Sequence, residues 1–395
     1  MNIALISFGH ADPSISMAKY ISRGVNLDLY YVFSKDRKRN NIIDFSDMPV
    51  KTGLQDEKQN NKLLSEEILR YIGGDFKPYF FIYYNLKFRS ICNLFLSIKF
   101  SYKLRRYDII HFSGTNGSLP WLIAFLFNKK LIFTIHDYYP HSGEASNSKF
   151  NVLFNKKLNE FKIYSKYPAV IQNYIDYQNI MRKEKKARNI FYIPFGPLEV
   201  YKNFLGKNLN VNYNIQSDLL FFGRICQYKG IEYLLEAFDK FLVSKPDLKL
   251  IIAGSGTLHF NYDFAGKTRN VIFLNRFIPS EELVQLITNT KVVVCPYTDA
   301  TQSGVAMTAF ALGKPVVASN VGGFSEIIED GVTGYLVEPH NAEHLYKTLQ
   351  KIFSDNDHVK YLTKNVENNE CLSEKFQWKC IANRYINIYT KLLTK

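Results

Sequence analysis

A two-domain α/β fold, each domain a doubly wound parallel sheet, is what this chain predicts, and three observations carry the prediction. At 395 residues the chain is long for one core and fits two domains of roughly 200 residues each. In its first half, short apolar runs alternate with segments of helical length, at Ile3 to Phe8, Leu27 to Phe33, Ile109 to Phe112, Leu131 to Ile135, Ala169 to Gln172 and Ile190 to Ile193. The second half repeats the alternation at Ser217 to Phe222, Lys249 to Ala253, Val271 to Leu274, Lys291 to Pro296, Pro315 to Ser319 and Gly334 to Val337. Strands spaced by helices read as parallel sheets covered on both faces. Two such domains facing a central cleft are expected.

The boundary falls at Pro194-Phe195-Gly196-Pro197, where paired prolines and a glycine stop a strand and start a connector. Domain one is therefore 1–197 and domain two 198–375. Lys202 to Gln216 reads as an irregular lead-in, the segment after Leu345 to Phe353 as a charged loop, and Phe376 to Leu393 as a last helix.

Composition narrows the setting. No apolar run approaches the roughly 18 residues of a membrane span, and the amino terminus reads as a first strand rather than a secretion signal. Five scattered cysteines with no Cys-x-x-Cys pair point to a reduced, cytoplasmic protein without a structural metal. The net charge of +14 is uneven: residues 1–200 hold 29 Lys+Arg against 17 Asp+Glu, and residues 201–395 hold 21 against 19. A basic first domain can attract nucleic acid, anionic lipid or an anionic substrate, and charge alone does not choose. No nucleic-acid motif accompanies it.

The strand end Ser217 to Arg224, the turn Gln227-Tyr228-Lys229-Gly230 and the helical pattern from Ile231 to Leu242 form one unit. Such a junction presents backbone N–H groups and the positive end of a helix. Arg224 and Lys229 add two cations suited to a diphosphate, although either alone could be a solvated loop cation. Ile251 to Gly256 is a second glycine-ended strand. Val271 to Phe277 followed by Pro279-Ser280-Glu281-Glu282 reads as a strand and a helix capped by Ser280. Cys295 to Val305 leads into a helix, Ala306 to Leu312, closed by Gly313. Beyond it runs Gly313-Lys314-Pro315-Val316-Val317-Ala318-Ser319-Asn320-Val321-Gly322-Gly323, continuing through Glu326 to Asp330-Gly331-Val332-Thr333-Gly334-Tyr335-Leu336-Val337.

That order resembles retaining glycosyltransferases of the family-4 type, the group 1 glycosyl transferases, strongly over Ser217 to Phe353 and loosely in the first domain. The resemblance implies the GT-B fold, with the last helix (376–395) crossing back onto domain one. It also implies a nucleotide-diphosphate sugar as donor, bound by domain two, and a glycan or lipid-linked acceptor, bound by domain one. Arg224 and Lys229 would stabilise the leaving diphosphate. Gly254, Phe277 and the backbone of Ser303 and Gly304 would contact donor. Glu326 matches the family's Gly-Gly-x-x-Glu acid, or is a carboxylate facing a helix start. The family's paired glutamates fall on Ala300 and Thr308, so both acids are lost and Thr308 is left to offer a hydroxyl to the ribose. Some relatives carry a Gln-Ser-Gly-Val version of this loop.

In domain one, Gly9 follows the first strand in a loop similar to the one that faces the diphosphate in the family. His136 ends the strand Leu131 to Ile135, where open α/β sheets bind ligands. By resemblance it touches a donor hydroxyl and helps orient the acceptor; otherwise it is a strand-end histidine bonded to a carbonyl. Asp137, His141 and Glu144 are candidates for the acceptor side. From Phe76 to Tyr107 there is no acid and there are seven bases. Phe88, Ile91, Phe95, Ile98 and Tyr102 form a stripe by 3–4 spacing, expected to lie on the sheet, with Leu96 and Phe100 opposite. A mixed basic and aromatic outer face would suit an anionic membrane surface, placing the protein at the inner face of the cell membrane; solvated cations on an ordinary helix are the alternative.

No Asp-x-Asp metal motif is read in the chain, so no cofactor or divalent ion is expected. A sugar-nucleotide binder without catalysis and a nucleotide-sugar 2-epimerase remain as other readings.

Overall fold

Alternation of β-branched runs with amphipathic segments resolves, in a computed structural model, into two parallel sheets flanked by helices. The structure describes residues 1–394 apart from 86, 88–89, 137–166, 184–188, 207–215, 265, 267–269 and 369–372. Among the described residues the strands are β1 (Asn2–Ser7), β2 (Asn26–Ser34), β3 (Gly53–Leu54), β4 (Lys77–Tyr83), β5 (Ile109–Ser113), β6 (Lys130–Ile135), β7 (Ala169–Ile171) and β8 (Ile190–Tyr192). They continue with β9 (Ser217–Phe222), β10 (Leu250–Gly254), β11 (Val271–Asn275), β12 (Thr290–Cys295), β13 (Val316–Ser319) and β14 (Gly334–Val337). The helices are α1 (Ala11–Ile21), α2 (Glu57–Lys62), α3 (Glu66–Ile72), α4 (Ile91–Leu104), α5 (Leu119–Phe125), α6 (Tyr174–Lys183) and α7 (Ile231–Ser244). After them come α8 (Ser280–Thr288), α9 (Gly304–Ala311), α10 (Phe324–Ile327), α11 (Ala342–Phe353), α12 (Asn356–Glu367) and α13 (Trp378–Leu393).

Two compact units result. One takes in Met1–His136, residues 167–196 and Phe376–Lys395; the other takes in Pro197–Lys375. The first unit's sheet runs β3-β4-β2-β1-β5-β6-β7-β8, parallel except for β3, which is antiparallel to β4. The second unit's sheet runs β11-β10-β9-β12-β13-β14 and is parallel throughout. In each, strand order reverses once about a central pair, β1 and β5 in the first and β9 and β12 in the second. Ligands of open sheets bind beside the carboxyl ends of such a pair. No helix among the described residues is long and apolar enough to cross a membrane.

Three sequence expectations change here. The aromatic run Tyr79 to Tyr83, read as part of a basic segment, is a full strand (β4) paired with β2 over seven residues. The charged loop after Phe353 contains α12, started by Asp355, whose carboxylate accepts from the Asp357 amide at 2.9 Å. Ser280 is the first residue of α8 rather than its cap, and Pro279 holds the capping position. Glu282, instead of serving only the helix end, is buried and forms two hydrogen bonds with Arg276, at 2.5 and 2.8 Å.

The last helix completes the first unit from within. Trp378 stacks beside Tyr20 of α1 at 6.0 Å, and Tyr385 and Tyr389 reach the sheet, where they are fully enclosed. There His111 of β5 is bonded through Nδ1 to the Tyr389 hydroxyl at 2.7 Å and through Nε2 to Thr134 Oγ1 at 2.7 Å, while Thr134 Oγ1 meets the Tyr385 hydroxyl at 3.0 Å. Every polar group of this cluster has a partner, which is what burial demands.

Burial holds the His111 imidazole down to about 3, so the unfolded chain takes up a proton that the folded chain refuses. Stability is full above the ordinary histidine value near 6.5 and is lost as pH falls below it. Between about pH 7.5 and about pH 5 the loss from His111 alone is about 2 kcal/mol. Urea titrations at the two pH values should show that loss in the native chain and a flatter dependence in His111→Gln; an equal slope in both would refute the assignment.

Candidate functional site

Each unit gathers its chemistry-bearing residues at the carboxyl ends of its central strands. In the second unit, β9 closes on Gly223 and Arg224, a single 3-10 turn follows over Gln227–Lys229, and α7 begins at Ile231. Gly230, between turn and helix, has φ +61, and a Cβ there would stand 2.0 Å from the Pro296 carbonyl oxygen. Only glycine lets this turn close against the end of β12. The Thr298 amide then donates to the Tyr228 carbonyl at 2.8 Å, fixing the two loops together.

Arg224 and Lys229 receive different surroundings from this turn. Arg224 is exposed. Lys229 is 9% exposed, with Nζ 3.6 Å from the Tyr297 ring centre and 4.7 Å from that of Tyr228. The two rings meet edge to face at 6.2 Å, and Phe324 packs edge-on to Tyr297 at 5.3 Å. Ring faces are electron-rich, so they hold an ammonium without neutralising it. Burial raises the Cys295 thiol to about 12 despite the nearby Lys229, and pushes the Tyr297 hydroxyl well above its ordinary value. Both groups beside Lys229 are therefore uncharged at neutral pH. Tyr228 and Tyr297 were not singled out from the sequence; the signal was available in Tyr228-Lys229 and in a tyrosine two residues beyond Cys295 at the end of a buried strand.

The start of α9 joins the same edge. Ser303 caps it, its hydroxyl accepting from the Ala306 amide at 3.3 Å, and the helix starts at Gly304, two residues ahead of the sequence expectation. A Cβ on Gly223 would lie 3.2 Å from a Val305 methyl group, so the strand end and the helix start are neighbours. The first amides of a helix carry partial positive charge. Thr308 is buried on this helix, and its hydroxyl donates to the Gly304 carbonyl at 2.7 Å. Its proton is spent within the helix, so toward a ribose it can only accept.

Gly254 ends β10 against Gly223, and the following loop is pinned by Asn275, which accepts from the Gly256 amide and donates to the Gly256 carbonyl, both at 3.2 Å. Asn275, too, was not singled out from the sequence. Phe277 lies partly buried beyond β11, the outermost strand of the sheet, its carbonyl accepting from Arg276 at 3.2 Å. Glu326 stands in α10, with Lys375 Nζ 3.8 Å from its carboxylate. Its loop is tied back to the Ala300 region by the Gly323 amide, which donates to the Thr301 carbonyl at 2.9 Å. Arg224, Lys229, Gly254, Ser303, Gly304 and Glu326 thus share one end of the sheet through these ties, and Phe277 lies at its outer edge.

The chain does contain one Asp-x-Asp, Asp355-Asn356-Asp357. Asp355 is occupied as the α12 cap and Asp357 pairs with Lys360 at 2.8 Å, so both carboxylates serve the helix start.

In the first unit, Gly9 follows β1 with φ +87 and open space where a side chain would be. His136 follows β6; its Nε2 lies 2.9 Å from Ser113 Oγ, and its ring stacks on His10 with centres 3.9 Å apart. Burial and the neighbouring His10 hold His136 well below the ordinary histidine value. It is neutral at pH 7 and can both donate and accept. His10, which carried no weight in the sequence reading, belongs to this cluster because β1 and β6 flank β5 and their ends bring the two rings together, His10 over Gly114. Asp137, His141 and Glu144 lie outside the described residues.

Residues 210–369 match the model of the family described as glycosyl transferases group 1. An uncharacterized glycosyltransferase of Methanocaldococcus jannaschii is 35% identical over 189 residues, 46% of this chain and 47% of that protein, so the chain spans about half the length of this relative. The D-inositol 3-phosphate glycosyltransferase of Corynebacterium diphtheriae is 26% identical over 310 residues, 72% of this chain and 70% of that protein. Among solved structures, Anabaena HepE in complex with UDP superposes with TM-score 0.63 at 18% identity, covering 99% of this chain and 100% of that one.

Two glycines of the site should respond differently to a methyl group. Gly9→Ala has room and should cost about 1–2 kcal/mol for its backbone conformation alone. Gly254→Ala would place Cβ 1.8 Å from the Gly223 carbonyl oxygen, a clash with sheet backbone that should cost more than the Gly9 change. Urea midpoints of the two variants check the order, and equal costs would contradict it. Residues 210–369 carry the glycosyl transferases group 1 pattern, and the two parallel-sheet α/β units have the GT-B glycosyltransferase fold.

Proposed function

We propose that the protein is a retaining hexosyltransferase of the family-4 type, moving a sugar from a nucleotide diphosphate to a hydroxyl of a glycan or lipid-linked acceptor in surface polysaccharide synthesis. The observation that carries this reading is Lys229, held between two tyrosine faces at the turn after β9, five residues from the exposed Arg224 and beside the start of α9. Two cations and helix amides at the end of a parallel sheet are suited to a diphosphate. As the bond from the sugar's anomeric carbon to phosphate oxygen breaks, its electron pair goes to the diphosphate, and fixed positive charge stabilises the oxygen that gains it.

The acceptor hydroxyl attacks from the face the diphosphate leaves, and its proton passes to the departing phosphate oxygen. This same-face course fits a site in which Ala300 stands where a family glutamate would be. Neutral His136 orients a hydroxyl of the reacting sugars, with Asp137, His141 and Glu144 as acceptor-side residues. Gly9, Gly254, Phe277, Ser303, Gly304, Thr308 and Glu326 contact the donor. The leaving group needs no divalent ion, because Arg224 and Lys229 supply the charge. A second reading, a donor binder without catalysis, is favoured by Thr308, whose hydroxyl proton is already committed to Gly304.

Thermal unfolding with UDP, GDP, ADP and dTDP and their hexose conjugates tests the donor site. One nucleotide at about 100 times its dissociation constant should stabilise the chain by about 2.7 kcal/mol. Arg224→Ala with Lys229→Ala should abolish that shift, and no shift with any nucleotide would remove the reading. Sugar transfer should survive excess chelator, and loss of activity on chelation would sink the metal-free mechanism. Binding with no transfer to any acceptor would select the second reading.

A further inference from the structure

Helix α4 is built the reverse of what its sequence predicts. The stripe expected on the sheet faces solvent: Ile91 is 71% exposed, Phe95 61%, Ile98 43% and Tyr102 80%. The face that packs inward is Asn93, Ser97, Phe100, Ser101 and Leu104. Ser97 and the Asn93 amide are used rather than merely tolerated, while the buried Ser101 hydroxyl has no hydrogen-bond partner among the described residues. Ser97 Oγ meets the Tyr83 hydroxyl at 3.0 Å, and the Asn93 side-chain amide donates to the carbonyls of Asn85 and Lys87 at 2.7 and 3.2 Å. Phe100 stacks on Phe81 with ring centres 4.1 Å apart, anchoring the helix. Small buried residues let α4 sit close to the sheet while four large apolar side chains point away from it.

The outward stripe is continuous with basic charge. Ile98, Lys99, Tyr102, Lys103, Arg105 and Arg106 line one open groove. Arg106 is partly committed to Asp28 at 3.1 Å. The end of α5 is tied to the same place, Arg105 donating to the Phe125 carbonyl at 3.1 Å and Lys129 to the Arg105 carbonyl at 2.9 Å. Phe127, two residues on, is 64% exposed and extends the apolar edge. Between Phe76 and Tyr107 no acid interrupts this face.

We propose that the exposed face of α4 docks the amino-terminal unit onto an anionic lipid bilayer, with Phe95, Ile98 and Tyr102 entering the headgroup boundary and Lys99 and Lys103 meeting acidic headgroups. Apolar side chains flanked by lysine and arginine are the composition of an interfacial helix. Charge decides against a second copy of the chain as the occupant, because a symmetric pairing would set this strongly basic face against itself. The docking face belongs to the first unit alone and does not depend on the donor reading. A lipid-linked acceptor would meet the protein on the unit that carries this face.

Co-flotation of the full chain with phosphatidylcholine vesicles, alone or with phosphatidylglycerol, tests the assignment. Partitioning should be at least tenfold stronger with the acidic lipid and weaken at high salt. Phe95→Ser with Ile98→Ser and Tyr102→Ser should lose at least tenfold, as should Lys99→Glu with Lys103→Glu, with circular dichroism unchanged. Arg224→Ala with Lys229→Ala should float like the native chain, separating this result from failure of the donor site. Tyr102→Trp should gain a blue-shifted emission on acidic vesicles, quenched by brominated lipid. Absence of flotation, equal flotation of native and altered chains, or an unquenched Tyr102→Trp signal overturns the proposal. A concentration-dependent dimer lost in the serine variant, without vesicle binding, overturns it in favour of self-association.

Discussion

Parallel pairing is the constraint from which this structure follows. Strands that run the same way cannot be joined by tight hairpins, so connections cross a face of the sheet, mostly as helices, and every described strand but β3 delivers its carboxyl end to one edge of its sheet. With the order β11-β10-β9-β12-β13-β14, chain departs in opposite directions from β9 and β12 and leaves a gap in the helical cover there. The turn bearing Lys229 and the loop bearing Tyr297 come from the two sides of that gap. Their meeting is a product of topology, since Lys229 and Tyr297 lie 68 positions apart along the chain. The first unit obeys the same rule with β1, β5 and β6, and its product is the His10–His136 stack.

Within the second unit, the two cations that the proposal assigns to the diphosphate sit in different environments. Arg224, exposed and planar, can adapt to a phosphate as a two-pronged donor. Lys229 is nearly enclosed, and its orientation is set before any ligand arrives. Aromatic faces are suited to such a lysine because a carboxylate would hold it equally well while consuming its charge. Cys295 and Tyr297 beside it are uncharged at neutral pH, so neither neutralises its ammonium.

Much of this was legible in the sequence wherever a residue's chemistry permits little choice. Glycines that end β9 and β10, the Arg224-to-Lys229 turn and the β13–Gly322–Glu326 segment are positions where backbone approach dictates the residue, so reading them required no knowledge of the partner strand. Features that depend on what lies opposite were not legible. β4 was hidden because a run of aromatics beside lysines has no clear alternation when both of its faces are covered. α4 was read backwards because periodicity identifies a stripe but not its direction, and Ser97, hydrogen-bonded to Tyr83, counts as polar until that partner is known. His10 and Tyr297 acquire meaning only from rings placed against them by strand order.

The carboxyl-terminal helix carries a consequence for biosynthesis. The first unit is left unfinished when the chain crosses into the second at Pro197 and is completed only by Phe376–Lys395. Its buried His111 waits for Tyr389, 278 residues downstream. On a ribosome, then, a segment made after the whole inserted unit closes the unit begun before it, and while the inserted unit is being made the β5–β6 surface that α13 will cover stands bare. The inserted unit, contiguous in sequence, can fold as soon as it emerges, while the outer one must remain soluble without its final helix. Late-stage truncation would therefore strike the amino-terminal core, far from the missing residues in sequence, and leave the inserted domain intact.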